Sequence, residues 1–152
     1  MRLSIQKYVL QQPLEVQAFF TLVDTTAELV GASEKYWASK ETNGARIRIL
    51  VEIAKAGGAI LPSSLAERIG VTKANISVLL VPLEKAAYIR SFDHPGDGRK
   101  RMIELSPEGE KLLEDLLPGN RATITDRMKA LNENEMHMLL SLLGKLQGRG
   151  PL

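Results

Sequence analysis

The chain has 152 residues, room for one domain or one domain with extensions. A charged fraction of 25% and a hydrophobic fraction of 44% are those of an ordinary globular protein, and a net charge of +2 neither demands nor excludes a nucleic-acid partner. Cysteine is absent, which excludes disulfides, thiolate metal sites and thiol-based redox sensing.

The opening segment, MRLSIQKYVLQQP, is too polar for a signal-peptide core, and no run of about 18 apolar residues follows. A cytoplasmic protein without a membrane span is the simplest expectation. Residues 13 to about 38 read as a long helix. Pro13 suits its first turn, and Leu14, Ala18, Leu22, Leu29 and Tyr36 recur at helical spacing. The polar stretch SKETNG breaks the chain at 39–44. A second helix follows at about 45–56, with Ile47, Leu50, Val51 and Ala54 as its apolar stripe and Gly57-Gly58 as its end.

Two short helical patterns then flank Gly70-Val71-Thr72, the spacing of a helix–turn–helix. The first spans 63–69. It starts either with a Ser64–Glu67 capping box or with Pro62 at its first position behind Leu61, a poor cap. Leu65, Ala66 and Ile69 would face the core. Gly70 can take the left-handed conformation that stops this helix, and Thr72 can cap the next. The second helix, 73–86, buries Ile76, Leu79, Leu80 and Leu83. Its opposite side carries Ala74, Ser77, Val78, Val81 and Lys85, with Lys73 and Asn75 near its start.

Strands are predicted at 88–92 and 100–105, joined by the turn-forming stretch 93–99. That hairpin is a basic wing, with Arg99, Lys100 and Arg101 at its tip and second strand. His94 belongs to it. Ser106 caps a further helix with Pro107 at its first position, running to about 129 on Leu112, Leu113, Leu116, Leu117, Ile124 and Met128. Pro118-Gly119 should kink it rather than break it. A last helix, 132–147, has Asn132 as cap, Glu135 three residues on, and a stripe of Met136, Leu139, Leu140, Leu143 and Leu146. His137 reads as a surface or interface residue of this helix, so the two histidines make no metal site. The tail GRGPL, 148–152, should fray.

Two blocks carry a family resemblance. Asp97-Gly98-Arg99-Lys100-Arg101-Met102-Ile103-Glu104-Leu105-Ser106-Pro107-Glu108-Gly109 matches D-x-R-x-x-x-[VI]-x-L-[TS]-x-x-G at every specified position. Upstream, LAERIGVTK at 65–73 matches L-A-x-x-[LI]-G-[VI]-[ST]-[KR], and Leu83-Glu84-Lys85 matches L-E-[KR]. Over nearly its whole length the chain resembles the MarR family (multiple antibiotic resistance regulators) of bacterial winged helix–turn–helix repressors. The resemblance implies a mainly α fold with a small β-hairpin wing, one domain over 1–152. Its DNA-binding lobe would be 45–105, and 1–38 and 106–152 would be dimerisation helices. The long apolar stripes at both ends point the same way, because a monomer would have trouble covering them.

The expected function is therefore a homodimeric repressor on double-stranded DNA. It would read a pseudo-palindromic operator with half-sites about one helical turn apart, without cofactor, metal or enzymatic activity. The expected DNA-contacting residues are Ser63 and Ser64 at a helix N-terminus, then Thr72, Lys73, Ala74, Asn75, Ser77 and Val78 on the recognition helix. Arg99, Lys100 and Arg101 follow on the wing, with Asp97 orienting Arg99. In a regular strand Lys100 and Arg101 would point oppositely, leaving one of them to DNA. Plainer roles compete: capping for Ser63, Ser64, Thr72 and Asn75, and an internal ion pair with Asp97 for Arg99. The resemblance also implies a small aromatic or anionic effector between the dimer region and the lobe. Tyr36 and Trp37, with Arg46 and Arg48 close in sequence, lie in that region, though a packed aromatic pair in the interface explains the two rings as well.

Three departures from the family pattern stand out. Val78 stands where a basic residue is usual, Val81-Pro82 where an acidic–basic pair is usual, and Ala87 where a glycine is usual. Pro82 lacks an amide donor and opposes the Val78 carbonyl, so the last turn should be bent or shortened. Ala87 must either bear strain or exit by another geometry. Val78 either touches thymine methyls or marks a lost contact, with affinity resting on the wing. The exposed valines also keep open an alternative function, a winged-helix module for protein association that no longer reads DNA.

Overall fold

The structure, a computed structural model, describes residues 2–148. It contains α1 (Arg2–Leu10), α2 (Leu14–Ser39), α3 (Gly44–Lys55), β1 (Ala59–Ile60), α4 (Pro62–Ile69), α5 (Lys73–Lys85), β2 (Ile89–His94), β3 (Asp97–Leu105), α6 (Pro107–Met128) and α7 (Glu133–Leu146). The expected frayed tail falls on residues 149–152, outside the described residues, apart from Gly148. Among the described residues no helix is long and apolar enough to cross a membrane.

The core lies in the lobe. Ile49, Leu50 and Ile53 of α3, Leu65 of α4, Ile76 and Leu83 of α5, and Ile103 of β3 are all fully or nearly fully buried. The stripe expected on α3 is corrected by this packing. Ile49 and Ile53 are buried and Ala54 is exposed, because α3 is the central helix, packed by α4 and the sheet as well as by α2 and α6. The hairpin is part of a three-stranded antiparallel sheet of order β1-β3-β2. Its extra strand is only Ala59–Ile60, paired with Glu104 and Ile103 and too short to show any periodicity in the sequence.

The helix ends follow their local chemistry. Asn43 caps α3 by accepting from Arg46 N at 3.0 Å. Asn132 and Glu135 form the reciprocal capping box of α7. Of the two starts open to the sequence, α4 takes the one at Pro62, and the Ser64–Glu67 box does not form. Pairing of β1 keeps the chain extended up to Leu61, and α4 begins at Pro62 with Leu61 as N-cap. Pro13 likewise stands just outside α2, as its N-cap.

Helix α5 runs three residues beyond Pro82, and its end is hydrogen-bonded from Ala86 N to Pro82 O at 3.0 Å, so the last turn is retained. Helix α6 is continuous through Pro118. Gly119 next to it has no side chain because Tyr36 occupies that space, its hydroxyl donating to Leu116 O at 2.6 Å. Trp37 is buried beside it in the core, ring centroids 4.9 Å apart. The aromatic pair therefore packs where α2 meets α3 and α6 of its own chain, Trp37 buried and Tyr36 half-buried. A nine-residue helix, α1, was not legible in the polar opening segment.

Candidate nucleic-acid interface

The helix–turn–helix is built from its turn outward. Gly70 adopts φ +82°, a conformation that costs a side-chain-bearing residue about 1–2 kcal/mol. It lets the Gly70 and Val71 amides both donate to Ala66 O, at 2.9 and 3.0 Å. The Thr72 hydroxyl then accepts from Asn75 N at 3.1 Å, so Thr72 does cap α5. Its remaining O–H is still a donor. At the other end of the motif α4 has no side-chain cap, so the first-turn amides of Ser63 and Ser64 have no side-chain acceptor.

Along α5, Ile76, Leu80 and Leu83 are buried, whereas Lys73, Ala74, Asn75, Ser77, Val78, Val81 and Lys85 are exposed. The Ser77 hydroxyl is turned back on its own helix, donating to Lys73 O at 3.2 Å. Beyond Lys85 the chain turns at Ala87, φ +62°. Ala87 N donates to Glu84 O and Tyr88 N to Leu83 O, both at 3.0 Å, the paired bonds of a Schellman ending. Of the two exits open to the sequence, the chain takes the strained one.

The wing is longer and less regular than the sequence suggested. Its two-residue turn is Pro95-Gly96, whose Gly96 amide donates to His94 Nδ1 at 2.9 Å. Asp93 pairs with Arg101 but the next residue, His94, pairs with Asp97, so Gly98, Arg99 and Lys100 stand off the ladder as a bulge. Strand alternation therefore does not decide between Lys100 and Arg101. Ion pairing separates them: Arg101 reaches Asp93 across the hairpin at 2.9 Å, and Arg90 reaches Glu104 at 3.4 Å. Arg99 has a side chain 94% exposed. Asp97 Oδ1 accepts from its backbone N at 3.0 Å and its Nε at 3.4 Å, which aims the guanidinium without covering it. Lys100 is exposed and has no ion pair among the described residues.

A second feature lies where α2 meets the lobe. A cavity of about 540 Å³ is lined by Leu29, Glu34, Trp37, Arg48, Val71 and Leu79, among others. Glu34 is held at its edge, accepting from Gly44 N at 3.1 Å. Trp37 and Arg48 thus share one cavity, whereas Tyr36 and Arg46 lie outside it. The role of Glu34 had no sequence signal beyond Gly44, the residue that leaves room for it.

A recognition helix behind a Gly turn, followed by a three-stranded sheet with a basic tip, defines a winged helix–turn–helix protein. A sequence model of the MarR family matches residues 42–100. The chain is 33% identical over 132 residues to the HTH-type transcriptional repressor YetL of Bacillus subtilis, covering 86% of this chain and 79% of that protein. The chain belongs to the MarR family. Its fold is shared with a mutant MarR from E. coli complexed with operator DNA, at a TM-score of 0.78 and 19% identity over 89% of this chain and 99% of that one. It is also shared with BpsR of Bordetella bronchiseptica, described with regulation of its DNA binding by 6-hydroxynicotinic acid, at 0.75 and 19% over 86% and 98%.

Proposed function

We propose that this chain acts in the cytoplasm as a homodimeric repressor that binds a pseudo-palindromic operator and is released by a small aromatic anion. The observation that carries the reading is Arg99, almost fully exposed on a bulge and aimed by Asp97, with exposed Lys100 beside it. An exposed ion pair contributes about 0–1 kcal/mol at most to folding, so Asp97 has more to do for the direction of Arg99 than for stability. Ser63 and Ser64 add uncapped amides suited to phosphate, and Lys73 and Asn75 lie at the start of the reading helix. YetL supports the sign of regulation, and the operator complex of MarR supports the mode of binding.

The effector site proposed is the cavity between α2 and the lobe. Its volume suits a small ligand, Trp37 offers an aromatic wall, and Arg48 offers a cation for a carboxylate. The 6-hydroxynicotinic acid in the description of BpsR is a ligand of that chemistry.

The test is a salt titration of the full chain on duplex DNA from the promoter beside its own gene. Log affinity should fall against log salt with a slope of about −4 or steeper, as several phosphate contacts require. Binding no tighter than to random duplex at low salt would refute the reading.

A further inference from the structure

Helix α5 presents to solvent a face that is apolar along its middle. Ala74, Val78 and Val81 fall within an arc of about 60° at helical periodicity. Val78 is 70% exposed and Val81 46%. Asn75 borders the stripe on one side and Ser77 on the other, and the Ser77 hydroxyl is occupied by Lys73 O. The side chains in the centre of the reading face therefore offer neither donor nor acceptor to a base edge. Lys73 and Lys85 supply exposed positive charge near its two ends, and the exposed carboxylate of α5, Glu84, is engaged by the Ser91 hydroxyl at 2.7 Å. A cationic rim around an apolar stripe complements a polyanion with methyl groups in its groove.

We infer that Ala74, Val78 and Val81 read thymine 5-methyl groups in the major groove, an inference that rests on the DNA-binding reading above. The thymine methyl is the one apolar group among the four standard bases' major-groove edges. Guanine, adenine and cytosine edges set against valine lose water and gain no partner, so the stripe both selects thymine and rejects the others. Valine in a helix has one strongly preferred χ1, which holds its methyls in place before binding. Small side chains also let the helix backbone approach the groove floor closely. From Ala74 to Val81 the helix rises about 10 Å, which corresponds to about three base-pair steps. Each half-site should accordingly carry thymines clustered within that length, on either strand.

The test starts from selection of duplexes with a randomised core on the full chain. The recovered site is then rebuilt with deoxyuridine for thymidine at single positions, which removes the methyl and nothing else. Affinity should fall about fourfold for each methyl that meets the stripe. Val78→Ala, an exposed helix position where alanine is well tolerated, should lose a similar factor on the thymine duplex and none on the uracil duplex at the matching position. Equal binding of thymine and uracil duplexes would overturn the inference while leaving sequence-specific DNA binding intact, as would equal losses by Val78→Ala on both. A library that enriches no sequence would overturn the DNA reading itself and with it this inference, leaving the valines to a protein partner.

Discussion

Ala87 and Ser106 together explain the part of the wing motif that lies beyond the wing itself. The left-handed turn at Ala87 points its carbonyl at the Ser106 hydroxyl, which donates to it and at the same time accepts from Gly109 N at 3.0 Å. Ser106 N donates in turn to Tyr88 O at 3.1 Å. Ser106 is buried, so each of these groups would cost about 1–3 kcal/mol if left unsatisfied. Gly109 completes the corner, because a Cβ there would collide with the Tyr88 carbonyl. The serine and glycine of the L-[TS]-x-x-G segment thus weld the end of the recognition helix to the start of α6. Only the fourth member, the left-handed residue itself, departs from the best choice. Ala87→Gly should remove a steric cost of about 1–2 kcal/mol and add unfolded-state entropy of about 0.4–1 kcal/mol. The net expectation is a gain of about 0.5–1 kcal/mol, read as a higher urea midpoint at unchanged slope. A loss of stability would mean that the Ala87 methyl makes packing contacts worth more than its strain.

The elements that face outward differ in how they hold their charges. Arg90 and Arg101 are tied across the hairpin to Glu104 and Asp93, whereas Arg99 and Lys100 sit on the bulge between the two registers. Arg99→Ala should weaken binding to the operator by about 1–3 kcal/mol, or roughly five- to 150-fold, and lower the salt slope by about one. Arg101→Ala should do much less, because its guanidinium is drawn across the hairpin onto Asp93 at 2.9 Å, whereas that of Arg99, touched by Asp97 only at Nε, stays 94% exposed. Equal losses from both, measured by fluorescence anisotropy at matched salt, would mean that the wing acts through net charge alone and that the bulge aims nothing. What the sequence showed of these elements follows the range of the interactions that set them. The helix–turn–helix and the wing were legible because glycine, threonine, proline and aspartate act on residues two to four away. The bulge was not, since it depends on which residues pair across the hairpin. Nor was the start of α4, decided by the tertiary pairing of β1 with β3. The buried side of α3 runs through Ile49 and Ile53 and not Ala54 for the same reason, as neighbours on several sides override a single stripe.

At the scale of the molecule, burial is uneven. The lobe has a closed core, but among the described residues α2 buries Trp37 alone and α7 buries Gly144 alone. Phe19 and Phe20, 60% and 55% exposed, pack edge to face at 5.2 Å, and Met138, Leu140, Leu142 and Leu146 of α7 are exposed as well. Helix α1 exposes Ile5, Tyr8, Val9 and Leu10. Nine residues make a helix that is marginal in water by itself. This apolar surface supports the homodimer proposed above, with α1, inside the 1–38 segment expected to dimerise, as part of it. Burying one phenylalanine contributes about 1.5–3 kcal/mol, so four of them across a two-fold axis are worth enough to decide association. The double variant Phe19→Glu/Phe20→Glu should therefore sediment as a monomer at micromolar concentration. Its lobe core does not include either residue, so the cooperative unfolding of that core should persist. A monomer carries one reading head and loses the effective concentration that couples two half-sites. Its affinity for a two-half-site operator should fall by about 10²–10⁴-fold, whereas affinity for an isolated half-site should change little. A variant that stays dimeric would place the two-fold contact elsewhere on α7 or α1. A monomer that keeps full operator affinity would show that the second head adds nothing to recognition.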